Sequence, residues 1–255
     1  MTIQEKPAFF AVRGATKRFG ALTAVDNVSF EVGENEILGI AGPNGSGKST
    51  LFNIITSIPF RADEGKVIFQ GRDITRLAPH RICQIGLART FQRESSFSGL
   101  SAFDNVLVAI EHASAAGQAR ENEARAEEAL DFVGFPKSMH NALAGALPIY
   151  NRKQLMLASA FALSPRLLLL DEPASSLTRP EVQQLKDIII RINLAGVSIL
   201  LIEHVLALLT DISQRMLVLN YGKLLCIGKP DQVTRDPKVV EAYLGDRGGG
   251  HATTS

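Results

Sequence analysis

Apolar β-type runs recur along the chain with helical stretches between them. EILGIAG (36–42), RLLLLDE (166–172), VSILLIEH (197–204) and RMLVLNYGKLLCIG (215–228) are the runs, and LFNIITS (51–57) is the first helical stretch. This alternation predicts an α/β sheet with helices on its faces. Between the first two runs lies a different segment, about residues 93–160, in which ENEARAEEALDFVG reads as an amphipathic helix ended by Gly134. It predicts a helical insertion. The densest apolar stretch, FALSPRLLLL (161–170), is broken by Ser164, Pro165 and Arg166, and a bilayer span needs about 20 apolar residues. The last ten residues, DRGGGHATTS (246–255), are small and polar and predict a disordered tail.

Composition narrows the classes. With 255 residues and 45% hydrophobic content the chain can bury a sizeable core. A formal net charge of +1, from 27 basic and 26 acidic residues, supplies no global field for nucleic acid or an anionic membrane, so any anion must be held locally. Cys83 and Cys226 stand in unrelated contexts and predict two inert thiols in a reducing compartment. MTIQEKPAFF lacks the pattern of a secretory signal, which predicts a cytosolic protein.

Residues 42–49 read GPNGSGKS, an intact G-x-x-x-x-G-K-[ST], after the apolar ILGIA and before a helical stretch. In that context the glycines let backbone N–H groups from Asn44 to Thr50, across Gly45, Ser46 and Gly47, turn onto phosphate oxygens. Lys48 reaches the β and γ phosphates and the Ser49 hydroxyl can bind Mg²⁺. LLLLDE reads as a buried parallel strand presenting Asp171 to the metal and Glu172 to the attacking water, or else as two carboxylates capping the next element. Gln92, in ARTFQRES, has a carbonyl oxygen that can reach metal or water, but alone it is an ordinary loop residue. VSILLIE delivers His204, either a γ-phosphate partner or a helix-start residue. Phe19, in TKRFGALTAV, either stacks on a purine or belongs to the core.

In this order, the aromatic before GALTAV, GPNGSGKST, the glutamine of RTFQ, LLLLDEP and the histidine of LLIEH resemble the nucleotide-binding subunits of ABC transporters. KRFGALTAVDNVSF, GLARTFQ, LLIEH and VVEAYLG resemble, more narrowly, the ATPase subunits of branched-chain amino-acid importers. The resemblance spans about residues 8–245. It implies a P-loop NTPase (RecA-like) core with an N-terminal antiparallel β subdomain and an inserted helical subdomain. It also implies ATP and Mg²⁺ as cofactors, Glu172 and His204 as catalytic groups, and Ser49, Gln92 and Asp171 at the metal. The implied partners are two transmembrane permease subunits, a second ATPase subunit and, indirectly, a periplasmic or extracellular solute-binding protein, with no nucleic acid. The implied place is the cytoplasmic face of the inner membrane, as a peripheral subunit.

By the same resemblance two such subunits sandwich two ATP molecules, each phosphate loop facing the partner's signature, usually LSGGQ or LSYGQ. At that position this chain has LPIYN (147–151). Pro148 offers neither hydroxyl nor backbone donor, and the Tyr150 side chain occupies space that glycine leaves open. After the DE pair, Thr178 in ASSLTRPE stands where the family tends to carry Asp or Asn, and T-R-P-E reads as a capping box with Pro180 early in the helix. The groups for the chain's own nucleotide are intact while those it lends to a partner are altered, which favours a heterodimer. Other classes are a soluble ABC ATPase acting on ribosome or DNA, which usually carries tandem cassettes or coiled-coil inserts, and a scaffold that binds ATP without turnover. Glu172 and His204 speak against the scaffold.

Overall fold

The computed structural model describes residues 8–91, 96–113 and 119–245. The expected tail, 246–255, lies outside them. The chain divides into two compact units, Met1–Pro79 with Leu200–Ser255, and His80–Ile199. In chain order the first unit opens with β1 (Phe10–Phe19), β2 (Leu22–Val32), β3 (Ile37–Ala41), α1 (Lys48–Thr56), β4 (Glu64–Phe69) and β5 (Arg72–Asp73). There follow α2 (Pro79–Gln84), β6 (Leu87–Arg89), α3 (Ala102–Ala113), α4 (Ala119–Phe132), α5 (Ile149–Phe161), β7 (Leu167–Asp171) and α6 (Arg179–Leu194). The chain returns to the first unit through β8 (Ser198–Ile202), then α7 (Leu206–Ile212), β9 (Arg215–Asn220), β10 (Lys223–Gly228), α8 (Pro230–Val233) and α9 (Pro237–Gly245).

In the first unit an antiparallel sheet runs β2-β1-β4-β5. Phe10 on β1 stands opposite Val32 on one side and Phe69 on the other. The buried rings of Phe10, Phe30 and Phe69 meet at tilted or edge-on angles, with centroids 6.2 and 6.5 Å from Phe10, within the range aromatic pairs prefer. Beside this sheet in the unit's fold, β3 is buried along its whole length and pairs in parallel with β9, Leu38 opposite Arg215. The run 215–228, one β-type stretch in the sequence, is two antiparallel strands. Tyr221 and Gly222 between β9 and β10 have φ of 47° and 77°, and two left-handed residues make the tight turn that matches strand twist.

In the second unit β6 and β7 pair in parallel, Leu87 opposite Leu167, and α3, α4 and α5 pack on one another. The stop after ENEARAEEALDFV is a Schellman arrangement. Phe135 N–H donates to Leu130 O at 2.9 Å and Gly134 N–H to Asp131 O at 3.0 Å, with Gly134 at φ 72°. Only a residue that tolerates this left-handed backbone closes the helix so cheaply. Gln154 of α5 donates to the freed carbonyls of Val133 and Gly134 at 3.1 and 3.2 Å, and the Phe132 and Phe161 rings stack 4.1 Å apart. The T-R-P-E stretch forms the capping box of α6: the Glu181 carboxylate accepts both the Thr178 N–H and its hydroxyl at 2.7 Å.

The Thr178 hydroxyl and then its N–H hold the Glu181 carboxyl below its usual value. A depressed carboxyl contributes stability that is whole above its unfolded pKa and is lost as pH falls through the folded one. Thr178→Ala should therefore lower stability at neutral pH, as N-cap losses do, and lower it less in acid. Urea unfolding at pH 7 and at pH 3 measures the difference, and an equal loss at both would separate the capping box from Glu181's charge.

Candidate functional site: a phosphate loop and an acidic strand end

The phosphate loop follows β3. Gly42 has φ 146°, and a Cβ there would lie 2.2 Å from Leu219 O. At Gly47, φ 102°, a Cβ would lie 2.4 Å from Ala24 O. Both positions exclude any side chain, whereas at Gly45, φ 74°, the space around is open. The loop folds back on itself, Ser46 N–H to Pro43 O at 3.2 Å, and α1 begins with Lys48 directly after Gly47. Lys48 is 5% exposed and its Nζ donates to Gly42 O at 2.8 Å and Pro43 O at 2.9 Å. The ammonium thus lies across the loop's own carbonyls, at the positive end of α1. Asn44, Gly45 and Ser49 are exposed, Gly47 and Thr50 half-buried, and Ser46 buried. Open glycine backbone, a lysine folded into the loop and an exposed hydroxyl at its end fit a nucleotide's phosphates and the cation they carry.

A separate acidic cluster lies in the other unit. β7 is buried throughout and ends on Asp171, 3% exposed, followed by Glu172, 7% exposed with φ 50°. A left-handed backbone is unusual for a residue with a Cβ, and it turns the chain sharply after the strand. Asp171 is held by Arg89 of β6, Nη2 to Oδ2 at 2.9 Å, both side chains almost wholly buried. Burial pushes the Arg89 guanidinium down and the Asp171 charge offsets part of that shift. Thr90 N–H donates to Leu169 O at 2.9 Å, which fixes the strand ends in register. Among the described residues no group of three or more His, Cys, Asp or Glu could hold a metal by itself.

Gln92 lies outside the described residues. His204 is exposed just after β8, two residues before α7, whose N-cap is Val205 rather than the histidine. Phe19, at the end of β1, is 43% exposed and so not core; it meets Phe60 edge-on at 5.0 Å with Lys17 Nζ 5.4 Å from its ring. LPIYN sits at the start of α5: Pro148 is the N-cap, provides no side-chain cap and leaves its carbonyl to Arg152 N–H at 3.0 Å. Burial pushes the half-buried Tyr150 hydroxyl up.

The ABC transporter family profile matches residues 25–175, more than half of the chain. The chain belongs to the ABC transporter ATP-binding family. Residues 223–248 of this ABC ATPase also match the profile described as branched-chain amino acid ATP-binding cassette transporter. The high-affinity branched-chain amino acid transport ATP-binding protein BraF of Pseudomonas aeruginosa is 35% identical over 92% of this chain and 97% of its own. LivG of Escherichia coli, of the same description, is 33% identical with the same coverage. The lipopolysaccharide export system ATP-binding protein LptB of Haemophilus influenzae is 30% identical over 91% of this chain and 95% of its own. Among solved structures, a nucleotide-free ATP-binding cassette from an ABC transporter superposes with a TM-score of 0.85 at 27% identity, covering 92% of this chain and 98% of that one. The ADP conformation of the cassette MJ1267 gives 0.83 at 28%, covering 93% and 99%.

ATP hydrolysis is the activity of this family, and the ABC ATPase fold here is the P-loop α/β class. Arg89 stands inside the quoted RTFQ, but motif reading gives it no role, and its partner lies 82 residues on. Lys153, 3% exposed and bonded to Ser175 Oγ at 3.1 Å, escapes in the same way. Removing one member of a buried ion pair leaves the other uncompensated, so Arg89→Met should lower stability by about 3 kcal/mol. Asp171→Asn in the same background should recover part of it, and a double-mutant cycle in urea reads the coupling. Strict additivity would show that the two charges do not depend on each other.

Proposed function

We propose that the chain is the ATP-hydrolysing subunit of an importer for branched-chain amino acids or a related small acid. The observation that carries this is the match of residues 223–248 to the branched-chain amino acid cassette profile, beside relatives whose names state that transport. An export-system relative at 30% identity shares the same core, so the solute is chosen by other subunits. No helix among the described residues is long and apolar enough to cross a membrane. The transport named for those relatives supports a peripheral subunit at the cytoplasmic face, working on two permeases that receive solute from a binding protein. The permease contact belongs to the helical insertion around residues 93–145, with Phe97 and Phe103 as apolar anchors; exposed Phe97 beside a hollow it shares with Val108 supports this reading.

At the chain's own nucleotide, the amides from Asn44 to Thr50 and the Lys48 ammonium hold phosphate oxygens. Ser49, Asp171 and Gln92 would hold Mg²⁺, which would supply positive charge to the phosphates. Glu172 orients the attacking water and accepts its proton, His204 hydrogen-bonds the γ-phosphate, and Phe19 stacks on the base from its exposed position at the end of β1. Glu172→Gln should keep ATP affinity and lower turnover by about 10² to 10⁴, the span for positioned general bases. Turnover by the assembled complex at the unsubstituted rate would remove Glu172 from this role.

The second ATPase subunit is a different chain. A hydrogen bond to a charged group is worth roughly 1.5–3 kcal/mol and a helix end alone about 0.3–1. The bare start of α5, capped by Pro148, therefore grips a partner's γ-phosphate weakly. The isolated subunit should hydrolyse ATP slowly. Adding the partner should raise turnover well beyond what raising its own concentration does, and Pro148→Ser with Tyr150→Gly should replace part of the partner's effect. Brisk, concentration-dependent hydrolysis by the unmodified chain alone would make LPIYN a competent signature.

A further inference from the structure

The helix nearest the C-terminus touches the phosphate loop. Tyr243 of α9 accepts the Gly42 N–H on its hydroxyl at 2.7 Å, from 201 residues further along the chain. The Gly42 carbonyl, on the other side of the same residue, accepts Lys48 Nζ at 2.8 Å. Both polar groups of one residue are thus engaged, one by a distant helix and one by the lysine that serves phosphate. Gly42 is also the point where β3 leaves the sheet, at a φ of 146° that only glycine adopts there.

The seat of α9 is built for this. Asp236 accepts the Lys238 N–H at 2.8 Å ahead of the helix, and Val239 is 4% exposed. Tyr243 lines an apolar pocket with Leu206, Met216, Val218, Val233 and Val239, so its ring has apolar neighbours apart from the hydrogen bond of its hydroxyl. Further out, Lys238, Glu241 and Ala242 share one cleft with Asn44, Gly45 and Ser46 of the loop. Burial pushes the Tyr243 hydroxyl's pKa up, partly offset by the Gly42 N–H, so it stays a neutral acceptor.

We infer that Tyr243 is a positioning residue for the nucleotide: its hydroxyl holds the Gly42 peptide, and through it Lys48, in the phosphate-ready arrangement before ATP arrives. This rests on the phosphate loop being the nucleotide site. Without the hydroxyl, the Gly42 N–H must find another acceptor, the loop relaxes, and binding has to restore the geometry. Preorganisation of that kind appears as affinity. It is also reciprocal: a loop that depends on α9 must in turn stabilise α9 when nucleotide binds.

The test uses the full-length chain and a fluorescent N-methylanthraniloyl ADP. Tyr243→Phe keeps the ring and removes one oxygen; it should weaken binding about five- to tenfold, the scale of one buried hydrogen bond lost, with an unchanged far-UV spectrum. Lys48→Ala is the reference for the site itself. If the wild type fails to bind, or Lys48→Ala binds as tightly, the nucleotide site falls and the inference with it. If both behave as expected but Tyr243→Phe binds like wild type, only the inference is overturned. Hydrogen exchange decides even if the variant does not fold: in the wild type, ADP should slow exchange across residues 237–245, and exchange there that ignores nucleotide would overturn the inference.

Discussion

A buried strand that must end in a polar loop sets the terms for the first unit. β3 has no exposed residue, and the chain leaves it at a position where a Cβ would sit 2.2 Å from a backbone oxygen of the β9 strand. No side chain fits, so the turn is made of glycine, and glycine alone gives little rigidity. Rigidity is supplied from outside the loop. Gly222 N–H donates to Ser46 O at 3.0 Å, and Asp26 N–H to Gly222 O at 2.8 Å. The β9–β10 turn is therefore a brace for the phosphate loop as well as a hairpin. Its left-handed residues serve both purposes at once.

Much of this was legible in the sequence because it is local. The phosphate loop, the glycine stop after Val133 and the T-R-P-E cap each place donor and acceptor within a few residues, so spacing alone implies the hydrogen bonds. The subdivision of 215–228 into two strands was not, although Tyr221-Gly222 is a recognisable turn pair. A continuous apolar run hides a two-residue hairpin when one of its central residues is tyrosine. Arg89 with Asp171 and Tyr243 with Gly42 were out of reach for another reason. Each joins residues 82 or 201 positions apart, and no periodicity links them.

The start of α5 shows how a sequence departure can be structurally neutral and chemically costly. Proline before a helix is comfortable because its missing N–H would have had no intrahelical partner, and the chain here continues into a regular helix of 13 residues. The same absence removes a donor from the face an anion would meet. Gln154 and Lys153, a few residues on, are both buried and turned inward. They anchor α5 to the end of α4 and to Ser175 rather than facing solvent. The helix is well held but its tip is poor in donors.

Arg89 gives the acidic strand end a different character. A buried carboxylate without a counter-charge is costly, and the cost falls when a planar guanidinium meets it in a fixed geometry. Arg89 is itself constrained: its guanidinium lies 4.8 Å from the Phe91 ring, and β6 pairs in register with β7 over Leu87 to Arg89. The arginine and the aspartate are thus delivered by neighbouring strands whose backbone pairing leaves little slack. Asp171 is fixed in place by a cation from its own chain, so a second cation reaching that carboxylate must share it with Arg89 or displace the guanidinium from a position that two strands and an aromatic ring enforce.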